Sequence, residues 1–123
     1  MPRPTLADAQ LHPAIRDSVA SHQSDIVREV QAAAAANAVL VVGMAVNPYC
    51  KRARAALTAA GVAHAYLEYG RYTSQWRRRL ALKMWSGWPT LPMVFVKGVL
   101  VGGASDVGRL IASGELKRLL GGA

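Results

Sequence analysis

A continuous apolar run, "AVLVVGM" at 38–44, constrains the fold of this chain more than any other segment. An unbroken valine-rich run of this length is typical of a strand buried on both faces, whereas a half-exposed strand alternates polar and apolar residues. The segments on either side, 24–36 and 51–61, carry apolar residues at helical spacing. The run therefore predicts the central strand of an α/β sandwich.

The remaining segments complete the order of elements. A parallel strand–helix–strand half is followed by a helix, an antiparallel hairpin and a final helix, which predicts a mixed four-stranded sheet flanked by helices. We expect one domain over 24–123, preceded by an N-terminal helical extension over 1–23. The predicted segments are strand 38–44, helix 51–61 with its start at 47–50, strand 62–69, helix 73–85, strands 90–96 and 99–101, helix 107–113 and a last turn or helix at 114–120.

Length and composition exclude several protein classes. A chain of 123 residues with 52% hydrophobic residues fits one globular domain. No apolar run approaches the roughly 20 residues that cross a bilayer. The N-terminus has no apolar stretch behind a basic start, so we expect no secretory signal. A single cysteine excludes an internal disulfide and fits a reducing compartment, which predicts a cytoplasmic protein with no membrane partner.

The net charge of +8 indicates an anionic partner. Nucleic acid, an acidic small molecule and an acidic protein are all compatible with such a charge. Basic and aromatic residues do not alternate along the predicted strands, so the sequence does not favour nucleic acid. His12, His22 and His64 have no spacing typical of metal ligands, and we predict no metal site.

The loop "NPYC" at 47–50 starts the second helix and contains the only cysteine. Asn47 is a strong N-cap residue and Pro48 is favoured at the first helical position. Cys50 then lies one turn inside, where the helix dipole, Lys51 and Arg52 favour a thiolate. Free cysteines are usually buried, however, and buried thiols are inert. Two interpretations of Cys50 follow: a structural thiol, or a slow nucleophile.

Between 24 and about 120 the chain resembles the glutaredoxins, thioredoxin-fold proteins that use glutathione. "NPYCKRARAAL" resembles their Cys-Pro-Tyr-Cys loop and following helix, with Asn47 in place of the first cysteine. "TLP" at 90–92 resembles a Thr-X-Pro segment whose proline is cis, and "VGGASD" at 101–106 resembles a Gly-Gly motif with its acidic cap. "SGWPT", "VKGVLVGG" and "SGEL" are most similar to the monothiol glutaredoxins, which normally carry Cys-Gly-Phe-Ser. The implied fold is a thioredoxin-like three-layer sandwich.

The resemblance implies a glutathione groove. A cis Pro92 directs the backbone N–H and C=O of Leu91 towards an extended peptide, which in the family is the cysteinyl part of glutathione. Gly103 allows close backbone approach, and the N–H groups of Ser105 and Asp106 at a helix N-terminus suit a carboxylate. Asp106 is also placed to receive the γ-glutamyl ammonium. The alternatives are a structural cis-proline and a plain helix cap at Ser105 and Asp106.

The family also holds the glycine carboxylate of glutathione, with a lysine before the loop and an arginine on the middle helix. Arg79 matches that arginine because it lies eleven residues before Thr90, whereas Met44 or a neighbour stands at the lysine position. We predict that Arg79 contacts glutathione. Arg77 and Arg78 are expected on a solvated face, and helical spacing places a different group together on one side of this helix: Trp76, Leu80 and Met84.

The predicted function is therefore glutathione binding by a glutaredoxin-related protein, in a groove of Tyr49, Leu91, Pro92 and 103–106. Any thiol–disulfide exchange would have to be monothiol and use Cys50. The first alternative is a non-catalytic module that binds glutathione or protein and has lost the nucleophile. The second is an iron–sulfur carrier, which the inward position of the sulfur disfavours. Expected partners are glutathione and acidic or glutathionylated proteins.

Overall fold

A computed structural model describes residues 12–15, 24–70 and 74–121. Its central element is strand β1 (Val39–Gly43), all of whose residues are buried, as the apolar run predicts. The predicted extension over 1–23 lies outside the described residues except for 12–15, where 13–15 form a helical turn. The other elements follow in chain order, with helix α1 before β1: α1 (Ser24–Ala36), α2 (Pro48–Ala59), β2 (Ala65–Glu68), α3 (Trp76–Ser86), β3 (Met93–Val96), β4 (Val99–Gly102), α4 (Ala104–Ser113) and α5 (Glu115–Leu119).

The four strands form one mixed sheet in the order β2-β1-β3-β4. β1 pairs in parallel with β2 and antiparallel with β3, and β4 continues the sheet as the second strand of a hairpin. The topology confirms a parallel half followed by an antiparallel half. β2 and β4 are the two edges of the sheet.

Alternating side chains of β1 belong to two separate hydrophobic cores. Because successive strand residues point to opposite faces, Leu40 and Val42 pack with Ile26 of α1 and Leu82 of α3. On the other face Val41 belongs to a second core with residues of α2, α4 and α5, represented by Leu57, Val107 and Leu116. Helices therefore cover both faces of the sheet, which confirms the predicted three-layer thioredoxin-like sandwich.

Several element boundaries differ from the predicted ones by a few residues. β2 begins at Ala65 instead of 62 because the N–H of Val62 donates to Leu57 C=O (2.9 Å) and closes the end of α2. β3 begins at Met93, directly after the Leu91–Pro92 peptide bond, which is cis as predicted. α4 begins at Ala104, before the predicted 107.

Helix α3 buries an arginine and exposes apolar side chains. Leu80 and Met84 are 42% and 54% exposed, whereas Arg79 is 6% exposed and lies on the buried side with Leu82. The guanidinium of Arg79 donates to the C=O groups of Tyr69 (3.0 Å) and Ser74. A buried charge is tolerated where hydrogen bonds satisfy it, so Arg79 joins the start of α3 to the segment that follows β2.

Gly43 ends β1 where α2 approaches the sheet most closely. A Cβ at this position would lie 2.7 Å from Cys50 Sγ and 3.1 Å from Tyr66 Cε1. The Gly43 C=O also accepts the N–H of Tyr69 (2.8 Å), which holds the segment after β2 against the sheet. Glycine is therefore required here because of lack of space beside the thiol.

We expect Gly43→Ala to lower the free energy of unfolding by about 1–3 kcal/mol, the usual cost of overpacking a core. Denaturant unfolding followed by circular dichroism measures the change. Gly108→Ala is the matched control, because Gly108 lies inside α4 and no atom approaches its Cβ position within 4 Å. This control should raise stability by about 0.5–1 kcal/mol. Equal effects of the two substitutions would contradict the steric explanation.

Candidate functional site

The N-terminus of α2 is capped by the side chain of Asn47. Its Oδ1 accepts the N–H groups of Tyr49 (2.9 Å) and Cys50 (3.0 Å), and Pro48 occupies the first helical position. The predicted cap is thus confirmed. The two backbone donors at this helix end, which would stabilise an anion, are already used by a neutral amide oxygen.

A cavity of about 360 Å³ lies beside this helix end, between the 88–92 segment and the start of α4. We call it the Pro92 groove. It brings together all the predicted glutathione-binding residues except Arg79, while three further lining residues, Trp88, Thr90 and Ala104, were not predicted as ligand contacts. The lining comprises Tyr49, Trp88, Thr90, Leu91, Pro92, Gly103, Ala104, Ser105 and Asp106. Whether these residues bind glutathione remains a prediction.

Gly103 and Asp106 organise the α4 end of the Pro92 groove. Gly103 is the N-cap, and its N–H donates to the Asp106 carboxylate (2.9 Å), which also forms an ion pair with Arg109. The first intrahelical bond runs from Val107 N–H to Gly103 C=O (3.0 Å). The N–H groups of the first turn precede that bond and have no partner within the helix, as at any helix N-terminus. This end of the groove is therefore suited to a carboxylate.

Two further features shape the same wall of the groove. Gly102 has φ +121°, and a Cβ there would overlap the Asp106 carboxyl group, so only glycine fits beneath the cap. The indole Nε1 of Trp88 is buried and has no hydrogen-bond partner in the part of the chain that the structure describes. Trp88 belongs to "SGWPT", the segment that is similar to monothiol glutaredoxins. That similarity was the one feature of the sequence that could have predicted Trp88 in the groove wall.

Arg79 does not line the Pro92 groove. Its guanidinium donates hydrogen bonds to the C=O groups of Tyr69 and Ser74 and does not reach the groove lining. Its neighbour Arg78 pairs with Asp25 (3.5 Å), and Arg77 is exposed. The structure therefore places the predicted carboxylate-binding arginine in the core and leaves the groove without it.

Cys50 lines a different cavity, of about 450 Å³, on the other side of the first turn of α2. We call it the β2 pocket because Tyr66 and Glu68 of β2 form one wall. The complete lining is Met44, Val46, Asn47, Pro48, Cys50, Lys51, Arg54, Tyr66 and Glu68. The thiol therefore does not face the Pro92 groove.

The Cys50 side chain is 2% exposed. Burial raises the pKa of the thiol above its ordinary value, while the N–H of Met44 and the charge of Arg54 act in the opposite direction without overcoming it. The thiol is consequently protonated at neutral pH, in the environment of an inert cysteine. Within 12–15, 24–70 and 74–121, no group of three or more His, Cys, Asp or Glu side chains is arranged to hold a metal ion, and no helix is long and apolar enough to span a bilayer.

Comparison with known proteins identifies the family. The glutaredoxin family model matches residues 47–101. A glutaredoxin-like protein of Dictyostelium discoideum is 42% identical over 102 residues, which make up 83% of each sequence. The chain belongs to the glutaredoxin family.

Similarity to a monothiol glutaredoxin is local in sequence, whereas the fold matches a solved glutaredoxin over most of the chain. Monothiol glutaredoxin-4 of Schizosaccharomyces pombe is 45% identical over 42 residues, which are 34% of this chain and 17% of that protein. The crystal structure of oxidized glutaredoxin 2 from Chlamydomonas reinhardtii superposes with a TM-score of 0.69 at 28% identity, over 80% of this chain and 92% of the other. The glutaredoxin fold is therefore retained, and the residue that the resemblance compares with the family's first cysteine, Asn47, is the N-cap of α2.

We expect Cys50 to react at least about tenfold more slowly with iodoacetamide in the folded protein than in denaturant, because buried thiols are inert. Since the pKa of the folded thiol is raised, the rate should keep increasing above about pH 8.5, where an ordinary thiol is half ionised. Mass spectrometry of timed samples measures both rates.

Two variants establish which cavity leads to the thiol. Tyr66→Ala removes a wall of the β2 pocket and should accelerate alkylation of Cys50. Tyr49→Ala opens the Pro92 groove and should leave the rate unchanged, since Tyr49 is already 54% exposed and does not line the β2 pocket. Acceleration by Tyr49→Ala alone would place the sulfur on the groove side.

Proposed function

We propose that this glutaredoxin binds glutathione in the Pro92 groove and that binding is not coupled to thiol–disulfide exchange. One observation carries the proposal: the groove residues converge, while the neighbouring helix end presents an amide cap and directs its thiol elsewhere. A volume of about 360 Å³ is within the range of about 300–1,000 Å³ usual for small-molecule sites.

In the proposed complex the peptide lies extended along Leu91 and Pro92. Its cysteinyl backbone pairs with the main chain of Leu91, as an added strand does at a sheet edge. The γ-glutamyl carboxylate meets the N–H groups of Ala104 and Ser105 at the positive end of α4. The Asp106 carboxylate, fixed by Gly103 N–H and Arg109, receives the γ-glutamyl ammonium. Arg79 takes no part, because its guanidinium is used in the core.

Thiol chemistry through Cys50, the coupled alternative, requires the sulfur to attack a glutathione mixed disulfide held in the groove. The new disulfide would join Sγ to the glutathione sulfur and release the partner thiolate. Cys50 lies on the opposite side of the α2 turn, is buried and keeps its proton. Exchange would therefore require opening of that turn, which makes it slow.

An iron–sulfur cluster bridged by glutathione does not fit the residues present. Such a site needs an exposed thiolate beside the bound glutathione, whereas Cys50 is 2% exposed and lines the β2 pocket, and Asn47 caps the helix. The proposed partners are accordingly glutathione itself and glutathionylated or acidic proteins, which the net charge of +8 would attract in the cytoplasm. A protein that binds a glutathionyl group without removing it would act as a binding module.

Isothermal titration with reduced glutathione should give saturable binding. Ser105→Glu places a negative charge where the ligand carboxylate would lie, and we expect at least about tenfold weaker binding. The same acidic residue suits the first turn of a helix, so the melting temperature of the free protein should not fall. Ser105→Gln, of equal size and neutral, should bind nearly normally. No binding by the unmodified protein at millimolar glutathione would refute the proposed function.

Restoring a sulfur at the cap position tests the proposed loss of exchange. In Asn47→Cys a thiol stands at the N-terminus of α2, where helix ends lower thiol pKa values, and turnover of a glutathionylated peptide should rise at least about tenfold. Asn47→Ser retains a cap without sulfur and should remain inactive. Cys50→Ser should not reduce the activity of the Asn47→Cys protein. Turnover in the unmodified chain that Cys50→Ser abolishes would instead establish the coupled alternative.

A further inference from the structure

The β2 pocket carries charges that the proposed function does not use. Its volume of about 450 Å³ exceeds the roughly 360 Å³ of the Pro92 groove, and it lies on the other side of the first turn of α2. Lys51 and Arg54 contribute two positive charges, and Glu68 contributes one negative charge. Apolar and neutral residues form the remainder of the lining.

The helical and strand repeats explain why these side chains meet. Cys50, Lys51 and Arg54 stand at i, i+1 and i+4, which places them along one side of α2. Tyr66 and Glu68 are two apart on β2 and therefore project from the same face of the sheet. The cations and the carboxylate thus line one cavity from two different elements.

Arg54 is held in position by an aromatic ring. Its guanidinium carbon lies 3.9 Å from the centroid of the Tyr66 ring, a close cation–π contact. The Tyr66 O–H donates to Glu68 Oε1 (3.0 Å), which fixes the ring in turn. The guanidinium N–H groups of Arg54 form no hydrogen bond to a described residue, so they are available to an anion.

The cations of the β2 pocket have no ion-pair partner in the described part of the chain. Neither Lys51 nor Arg54 forms an ion pair with a carboxylate of the described residues, whereas Arg109 and Arg118 each have one three residues away. A prepositioned arginine beside a lysine matches the geometry of a carboxylate or a phosphate, which accepts two parallel N–H bonds.

We propose that the β2 pocket binds a small molecule bearing an oxyanion, either a carboxylate or a phosphate. The oxyanion contacts Arg54 and Lys51, and an ammonium or hydroxyl group of the same molecule is directed to Glu68. The body of the ligand packs on the apolar lining residues Met44, Val46 and Pro48. This site is separate from the Pro92 groove and does not depend on glutathione binding.

The test is a titration followed by two-dimensional amide NMR spectra, with inorganic phosphate and succinate as separate probes at constant ionic strength. We expect saturable shifts at the amides of Lys51, Arg54 and Tyr66 that fit one dissociation constant per probe. Saturation by phosphate alone or by succinate alone supports the site and identifies which oxyanion it takes.

Variants distinguish specific binding in the β2 pocket from nonspecific attraction of anions to a basic protein. Arg54→Ala should weaken binding at least about tenfold, because a charge-assisted hydrogen-bonded contact is lost. Lys51→Ala, a milder surface change, should weaken it several-fold. Arg28→Ala removes an exposed cation of α1 and should leave the affinity unchanged. Shifts that rise without saturating, that occur only at 104–106, or that Arg28→Ala reduces as much as Arg54→Ala would overturn the proposal.

Discussion

Burial of β1 between two helical layers is the constraint on which the other features depend. Because β1 is covered on both faces, α2 starts at the end of β1 and runs back across the sheet. The first turn of α2 approaches Gly43 closely enough to exclude a Cβ there. The antiparallel pairing of β1 with β3 then brings Pro92 to the end of the sheet at which β1 finishes. The Pro92 groove and the β2 pocket are the spaces left on either side of that first turn.

At this helix end, one side chain decides between capping and catalysis. A cysteine at the N-cap would place a sulfur at the end of the helix, where the helix N–H groups could stabilise its thiolate. Asn47 satisfies the same N–H groups with a neutral oxygen and contributes no nucleophile. Asparagine in place of cysteine keeps the helix N-terminus capped, so the replacement does not require the groove to change shape.

The order of elements, the cap and the groove residues were predictable because each depends on local patterns or on motifs with fixed spacing. The buried position of Arg79 was not predictable in this way. Its burial depends on the C=O groups of Tyr69 and Ser74, which the chain path between β2 and α3 places beside it. The same packing exposes Leu80 and Met84. The spacing of apolar residues predicts that their side of α3 is buried, but the side that carries Arg79 is the buried one. The β2 pocket was missed for a similar reason, since it requires the register of Tyr66 against β1.

Adjacent residues on α2 line different cavities, which keeps the buried thiol away from the Pro92 groove. Successive helical residues are about 100° apart, so Tyr49 lines the Pro92 groove while Cys50 lines the β2 pocket. In the proposed function, recognition in the groove would rely on main-chain groups of Leu91 and α4 that no single side chain supplies, whereas exchange would need an accessible sulfur at one position. On this proposal, Asn47 in place of a cysteine would leave the binding surface intact while removing the accessible sulfur, and Cys50 would remain in the other cavity.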